Sequence, residues 1–210
     1  MTNPKTILFL NGDLPSVKSI KKYCKHGDYV ICADGGANGI IKSGIVPNII
    51  LGDLDSITKA NLNYFRKKGV EIRKITEQDT TDFEKSLFYI LEHNLNNVIV
   101  FGAVSSRPDH TLNNFSILKR YYNILDVKMI DKEFEIFYVK NNISFKSEPG
   151  KTVSFMAMPV AKGITTKGLK YSLKNETLEF GIREGTLNKT SAKTVNLSFK
   201  SGHLLLFIGR

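Results

Sequence analysis

The 210-residue chain contains no tryptophan, only two cysteines and only six prolines. Cys24 and Cys32 lack the spacing of metal ligands and no histidine cluster accompanies them, so neither a zinc motif nor a disulfide framework is expected. No run of about 18 apolar residues occurs, which argues against a membrane-spanning helix. The first residues, 1–5, lack the layout of a signal peptide. We therefore expect a cytoplasmic protein with no membrane partner.

Acidic residues are in the minority, with 20 against 30 lysines and arginines and a net charge of +10. A basic chain raises the alternative of a nucleic-acid-binding protein. The lysines are spread along the whole chain without an arginine-rich block, which indicates a solvated basic surface. Loops rich in carboxylates would repel a phosphate backbone unless a metal were present, so we expect no nucleic-acid partner.

The aspartates are unevenly placed. Six of the ten fall between residues 34 and 109, each in a short loop that contains glycine or threonine: Asp34, Asp53, Asp55, Asp79, Asp82 and Asp109. A basic protein that collects its acids in one region is expected to hold a cation there.

Apolar runs and amphipathic stretches alternate over the first two-thirds of the chain. The runs are 7–10, 29–33, 48–51, 70–75, 98–101 and 127–130, and the helical stretches are 16–26, 36–43, 58–68, 81–93 and 110–122. Within 81–93, Thr81 and Glu84 have the spacing of a capping box. The alternation predicts an α/β domain with a mostly parallel sheet covered by helices on both faces.

Beyond about residue 134 the helical periodicity fades. Short β-like runs take over at 135–139, 152–157, 194–199 and 203–208, separated by glycines and prolines. This texture predicts a small C-terminal antiparallel β-sandwich. We place the boundary in residues 140–142, which gives domains 1–140 and 141–210.

Each unusual polar cluster follows a predicted strand. The clusters are Asn11–Asp13, Asp34–Asn38, Gly52–Ser56, Gln78–Asp82 and Gly102–His110. Because open parallel sheets bind ligands outside the carboxyl ends of their strands, five loops are expected to converge on one edge.

Two of these loops have residue types suited to cations or phosphates. Asp53 and Asp55, two residues apart behind a glycine, suit Mg²⁺, although aspartate and glycine are also common in turns. In Asp34-Gly35-Gly36 the glycines would let backbone N–H groups approach a phosphate, or they simply form a tight turn.

The next loops add charges of both signs. Capping of the helix N-terminus explains Thr81 but not Asp79. Lys85 either reaches phosphate oxygens or pairs with Asp82. Arg107 can fork onto phosphate oxygens, and Asp109 can cap a helix, bind metal or orient Arg107. The chain contains no standard nucleotide-binding signature and no obvious covalent nucleophile. Phosphoryl-type transfer needs only positioning, cations and a base.

Read in order, the loops resemble the thiamine pyrophosphokinase family. The matching motifs are Ala33–Asn38, Gly52–Ser56 with Pro47, Gln78–Lys85, and Gly102-Ala103 through Arg107–His110 with Asn113 or Asn114; the segment Gly168–Leu173 fits the family's second domain. The chain departs from the family pattern where Ser105-Ser106 replace two glycines, and where Leu187-Asn188-Lys189 stand for Ser-Asn-Glu.

The resemblance implies transfer of pyrophosphate from ATP to the hydroxyl of thiamine, with Mg²⁺, in a homodimer whose β domain contributes to the thiamine site. Residues and resemblance together give Asp53, Asp55 and Asp79 as metal ligands, and add Asp82 and Arg107 as catalytic residues. The expected substrate-binding residues are Asn11, Asp34, Gly35, Gly36, Asn38, Gln78, Thr80, Thr81, Lys85, Asp109, His110 and Asn188. The alternative is another Mg²⁺-dependent phosphotransferase or phosphohydrolase on the same scaffold.

Overall fold

The computed structural model describes residues 4–140 and 142–210. It divides into two compact units, Met1–Lys132 and Glu133–Arg210. Residue 141, in the middle of the predicted linker, lies outside the described residues, and the boundary at 140/141 stays a prediction. None of the described helices has the length and apolar character needed to cross a membrane.

The first unit is built on six parallel strands. They are β1 (Thr6–Phe9), β2 (Tyr29–Ala33), β3 (Ile49–Gly52), β4 (Glu71–Lys74), β5 (Val98–Phe101) and β6 (Val127–Ile130). Their order in the sheet is β4-β3-β2-β1-β5-β6, with Leu8 of β1 opposite both Ile31 and Val100. The inner strands β1, β2, β3 and β5 are buried on both faces, which is why each reads as a continuous apolar run, whereas the edge strand β4 is partly exposed. The predicted α/β fold is confirmed.

Helices connect these strands. They are α1 (Val17–Tyr23), α2 (Gly36–Ile40) continued by a 3-10 turn at Ile41–Ser43, α3 (Lys59–Lys67), α4 (Asp82–Glu92) and α5 (Pro108–Tyr121). Thr81 caps α4 by accepting the N–H of Glu84 at 3.4 Å. The predicted capping box is only half formed, because the Glu84 carboxylate turns to Arg120 and Tyr121 of α5 instead. In a capping box the Glu84 carboxylate would accept the exposed backbone N–H of Thr81. Here it accepts instead from the charged Arg120 and from the buried hydroxyl of Tyr121.

The second unit contains antiparallel strands around one apolar core. They are β7 (Phe134–Tyr138), β8 (Ile143–Lys146), β9 (Thr152–Lys167), β10 (Glu176–Glu179), β11 (Gly185–Lys189), β12 (Thr194–Ser198) and β13 (Ser201–Gly209). β9 is shared by two sheets, because it pairs with β10, β11 and β13 along most of its length and with β12 at its end. Side chains from both sheets, among them Phe155, Val195 and Leu206, are buried together.

The long β9 exceeds the predicted run of 152–157. Gly163 was among the residues expected to separate the β-like runs, yet the strand continues through it and through Pro159. The Pro159 carbonyl accepts the N–H of Phe180 at 2.8 Å, so the missing proline N–H does not end the pairing.

Candidate active site

A cleft of about 1000 Å³ opens at the carboxyl ends of the parallel strands. The strand order reverses between β1 and β5, which is where sheets of this class bind ligands. Four of the five polar loops contribute to its walls, whereas beside the Asp34–Asn38 loop only the preceding Ala33 of β2 lines it. The predicted residues that line it are Asn11, Asp53, Gln78, Thr80, Thr81, Asp82, Lys85, Arg107, Asp109 and His110.

Three carboxylates from different elements meet at this edge. Oxygens of Asp34, Asp53 and Asp82 lie within 4.8 Å of one another. Asp34 is buried, with a left-handed φ of 38°, and accepts the N–H groups of Ser56 at 2.8 Å and Ile57 at 3.0 Å. These bonds tie the end of β2 to the loop after β3. We call Asp34, Asp53 and Asp82 the aspartate group.

Gly52 makes the approach of these carboxylates possible. It has a φ of 142°, and a Cβ there would lie 2.9 Å from the Cβ of Asp34 and 3.2 Å from Oδ1 of Asp82. A side chain would therefore push β3 away from both carboxylates. The glycine at the start of the Asp53 loop is thus required by the geometry of the aspartate group.

The crowding of the group appears in the pKa values. Burial raises the pKa of Asp82 to about 6; the nearby Lys85 ammonium opposes this rise, while the charges of Asp34, Asp53 and Asp55 add to it. Burial also raises the pKa of Asp34, against the lowering effect of its hydrogen bonds from Ser56 and Ile57. The carboxylates are held close together although their charges repel one another. Such a group suits a hard divalent cation, which would remove this repulsion.

Only part of the predicted metal set belongs to this group. Asp53 is a member, whereas Asp55 and Asp79 are not. Asp55 is exposed and accepts the hydroxyl of Ser56 at 2.9 Å. Asp79 is exposed in the turn before α4, where its N–H donates to the carboxylate of Glu77. Asp34, predicted as a substrate-binding residue, takes a place in the group.

Two cationic side chains face the same cleft. Lys85 is buried and its Nζ lies 3.7 Å from Oδ1 of Asp82, so it pairs with Asp82 at the wall of the cleft, and its contact with phosphate stays a prediction. The Arg107 guanidinium forks onto Asp109, with Nε 3.2 Å from Oδ1 and Nη2 2.6 Å from Oδ2. This contact lowers the pKa of Asp109 and raises that of Arg107. His110 is exposed, with Nε2 3.9 Å from Asp109.

Other predicted residues serve packing. A Cβ on Gly36 would lie 2.2 Å from the carbonyl oxygen of Phe9, and one on Gly35 would lie 2.5 Å from the side chain of Asn11. Both glycines are buried, and α2 has only five residues. The tight-turn interpretation therefore fits them better than a phosphate-binding one.

Asn38 and Asn188 are likewise committed to hydrogen bonds within the chain. The Asn38 amide bridges α2 and α3, donating to the Ser56 carbonyl at 2.9 Å and accepting from Asn61 at 2.8 Å. Asn188 is buried in the second unit, where its amide donates to the Tyr171 carbonyl at 2.7 Å and accepts the Tyr171 N–H at 3.1 Å.

Sequence reasoning missed Glu77. Its carboxylate accepts the N–H of Thr80 at 2.9 Å and the Thr80 hydroxyl at 2.5 Å, and these bonds lower its pKa. Glu77 thereby shapes the turn that presents Gln78 and Thr80 to the cleft. The one available signal was a carboxylate three residues before a threonine, a spacing at which a side chain can accept hydrogen bonds from the backbone of its own turn.

The fold and the cleft together define an α/β enzyme of the phosphoryl-transfer class. Comparison with known families makes this specific. Residues 20–130 match the thiamin pyrophosphokinase catalytic domain, and residues 140–204 match the thiamin pyrophosphokinase vitamin B1 binding domain. The chain belongs to the thiamin pyrophosphokinase family.

Full-length relatives agree with this assignment. The thiamine pyrophosphokinase of Bacillus subtilis is 28% identical over 210 residues, which cover 96% of this chain and 97% of that protein. Thiamine pyrophosphokinase 1 of Oryza sativa subsp. japonica is 29% identical over 201 residues, covering 81% and 75%. The crystal structure of the Bacillus subtilis enzyme superposes with a TM-score of 0.87 at 25% identity, covering 98% of this chain and 99% of that one.

Proposed function

We propose that the chain transfers the pyrophosphoryl group of ATP to the hydroxyl of thiamine, giving thiamine diphosphate and AMP. The observation that carries the proposal is the aspartate group, of which Asp53 and Asp82 line the cleft, in a chain that matches both domains of the family. A carboxylate group facing two cations is the arrangement that this chemistry needs, since triphosphate and metal must be bound side by side.

We assign the divalent cation, which we expect to be Mg²⁺, to Asp34, Asp53 and Asp82. The cation would neutralise the phosphate chain and polarise it toward attack. Asp55 acts on the group through its charge, as its effect on the pKa of Asp82 indicates. The metal ligands predicted from the sequence, Asp53, Asp55 and Asp79, stay a prediction. Single variants of Asp55 and Asp79 can be compared with those of Asp34 and Asp82 to decide between the two sets of ligands.

Lys85 and Arg107 supply positive charge from the chain itself. Lys85 is fixed by burial next to Asp82, so its ammonium can balance negative charge that develops on the transferred group. Arg107 is exposed and can form two parallel bonds to phosphate oxygens in place of those to Asp109. Asp79 and Asp82 remain the candidates for accepting the proton of the thiamine hydroxyl.

The deciding experiment is incubation of the purified chain with ATP, Mg²⁺ and thiamine, with AMP and thiamine diphosphate measured by chromatography. We expect the two products in equal amounts and neither one without thiamine. Release of AMP or phosphate in the absence of thiamine would instead favour the phosphohydrolase alternative.

The homodimer and the cytoplasmic location are proposals of a different kind, because they come from the family resemblance and from the cysteine pattern and not from the cleft. Light scattering on the purified chain tests the first. Twice the chain mass would support the homodimer, whereas a mass of 23.6 kDa would contradict it.

A further inference from the structure

The loop after β5 is fastened to α5 by polar side chains, and Ser105 lies at the centre of these bonds. The Ser105 N–H donates to Oγ1 of Thr111 at 3.2 Å. The Ser105 hydroxyl accepts the N–H of Arg107 at 3.2 Å and lies 3.4 Å from the Arg107 carbonyl oxygen. At the start of the loop, the Asn114 amide donates to the Ala103 carbonyl at 2.8 Å.

Arg107 depends on these bonds because of its place in the chain. It precedes Pro108, which keeps it out of the helical region, at φ −97° and ψ 102°. It is the N-cap residue of α5 and makes no capping bond with its own side chain. The N–H of Arg107 therefore finds its acceptor in the Ser105 hydroxyl.

The far end of the Arg107 side chain is held separately. Its guanidinium bonds to both oxygens of Asp109, and the two side chains, which line the cleft, are 64% and 62% exposed. An entering phosphate can take over these bonds without desolvating a buried charge. Only the backbone of Arg107 then has to be kept in place. The Thr111 hydroxyl donates to its carbonyl at 3.2 Å, and the Ser105 hydroxyl is the side-chain group that holds its N–H.

We propose that Ser105 is a positioning residue for nucleotide binding, whose hydroxyl holds the backbone of Arg107 so that the guanidinium is ready for the phosphate chain. The inference rests on the proposed function for the identity of the nucleotide. A loop that is already ordered loses less conformational entropy when the ligand binds than one that must be ordered at that moment. Loss of the hydroxyl should therefore act on affinity and leave the chemical step unchanged.

The test compares Ser105→Ala with Ser105→Thr, which keeps a hydroxyl. For Ser105→Ala we expect the KM for ATP to rise about 5-fold, as for one or two lost hydrogen bonds, with kcat within about 2-fold of the wild type. Ser105→Thr should return KM to within about 2-fold of the wild type. Ser116→Ala is the matched control, because Ser116 lies on the same helix α5, is exposed and is not among the residues that line the cleft.

A binding measurement separates this inference from the proposed function. Calorimetric titration with Mg²⁺ and α,β-methylene-ATP, which cannot release AMP, should give the same 5-fold loss for Ser105→Ala. Equal analogue affinity in Ser105→Ala and wild type, or a fall in kcat with unchanged KM, would overturn the role of Ser105. If the wild type forms no AMP from ATP and thiamine, the proposed function fails, and the analogue affinities still decide the role of Ser105.

Discussion

Asp53 is the member of the aspartate group that was predicted as a metal ligand and also lines the cleft. Asp53→Asn keeps the shape of the side chain and removes one charge. We expect kcat/KM to fall by at least about 10²-fold, because metal-dependent charge stabilisation is worth several kcal/mol. AMP formation measures the effect, and circular dichroism checks the fold.

Asp126 offers a matched control for that variant. It is exposed and directly precedes β6, at the amino end of a parallel strand, away from the edge that carries the cleft. Asp126→Asn should retain wild-type turnover. A folded Asp53→Asn variant as active as Asp126→Asn would remove Asp53 from the metal site.

Asp82 should destabilise the metal-free fold. The pKa of Asp82, about 6, lies above the ordinary value of 3.8. Its favourable contribution to the free energy of unfolding is therefore present while the carboxyl is protonated and is lost as pH rises through about 6. Asp82→Asn resembles the protonated form. With EDTA at pH 7.5 we expect this variant to unfold with a free energy higher than the wild type by on the order of 1 kcal/mol, a value reduced for screening because the side chain is 35% exposed.

Urea unfolding at two pH values checks the sign of this effect. The difference between Asp82→Asn and wild type should shrink toward pH 4, where wild-type Asp82 is itself neutral. A variant less stable than the wild type at pH 7.5 would mean that Asp82 is stabilised in its charged form, contrary to its raised pKa.

The membership of the aspartate group shows what spacing in sequence can and cannot give. Asp53 and Asp55 looked like partners because they are two residues apart, but Asp55 turns to the neighbouring Ser56 hydroxyl. The actual partners of Asp53 come from the end of β2 and the start of α4. That juxtaposition depends on strand order and on the space left by Gly52, which no local pattern contains.

Among the elements, α4 and α5 are joined by one buried carboxylate. Glu84 accepts Arg120 at 2.9 Å and the hydroxyl of Tyr121 at 3.0 Å. Glu84→Ala should lower the free energy of unfolding by about 2 kcal/mol, since it leaves the buried Tyr121 hydroxyl unpaired, and Tyr121→Phe by about 1 kcal/mol. In the double variant the two losses should not add, because the Tyr121 hydroxyl is the partner that both changes affect. Strict additivity in urea unfolding would show that the bond contributes nothing.

The elements differ in how far the sequence predicts them. Strands β1 to β6 were found within one or two residues. Burial on both faces gives the inner strands β1, β2, β3 and β5 a continuous apolar run, whereas the edge strand β4 is partly exposed. β8, β10 and β11 were missed because they are only four or five residues long, which is too short for a clear pattern, and because about half of their residues are exposed. The predicted end of this strand at residue 157 was wrong, since β10 and β13 pair with β9 beyond that residue and support it where its local composition does not.

At the scale of the whole molecule, charge is divided in a way that affects ligand binding. All ten aspartates precede residue 132, although the chain as a whole carries a net charge of +10. The acidic site therefore lies on a basic protein, which attracts the tetravalent anion ATP and concentrates it near bound cations. Net charge alone favoured a polyanion partner; the placement of the acids within the α/β unit pointed to a metal–nucleotide complex.

Binding of that complex should be visible in the stability of the whole chain. A ligand at about 100 times its Kd stabilises the native state by about 2.7 kcal/mol, which for a chain of this size corresponds to a rise in Tm of about 5–10 °C. We expect such a rise with Mg²⁺ and ATP at pH 7.5, and a smaller one at pH 5.5, where a proton on Asp82 competes with the cation. Differential scanning fluorimetry with Asp53→Asn and Asp126→Asn tests the origin of the shift. Only Asp126→Asn should keep the rise in Tm. An equal rise in Asp53→Asn, or a rise that grows toward pH 5.5, would mean that ATP stabilises the chain without the aspartate group.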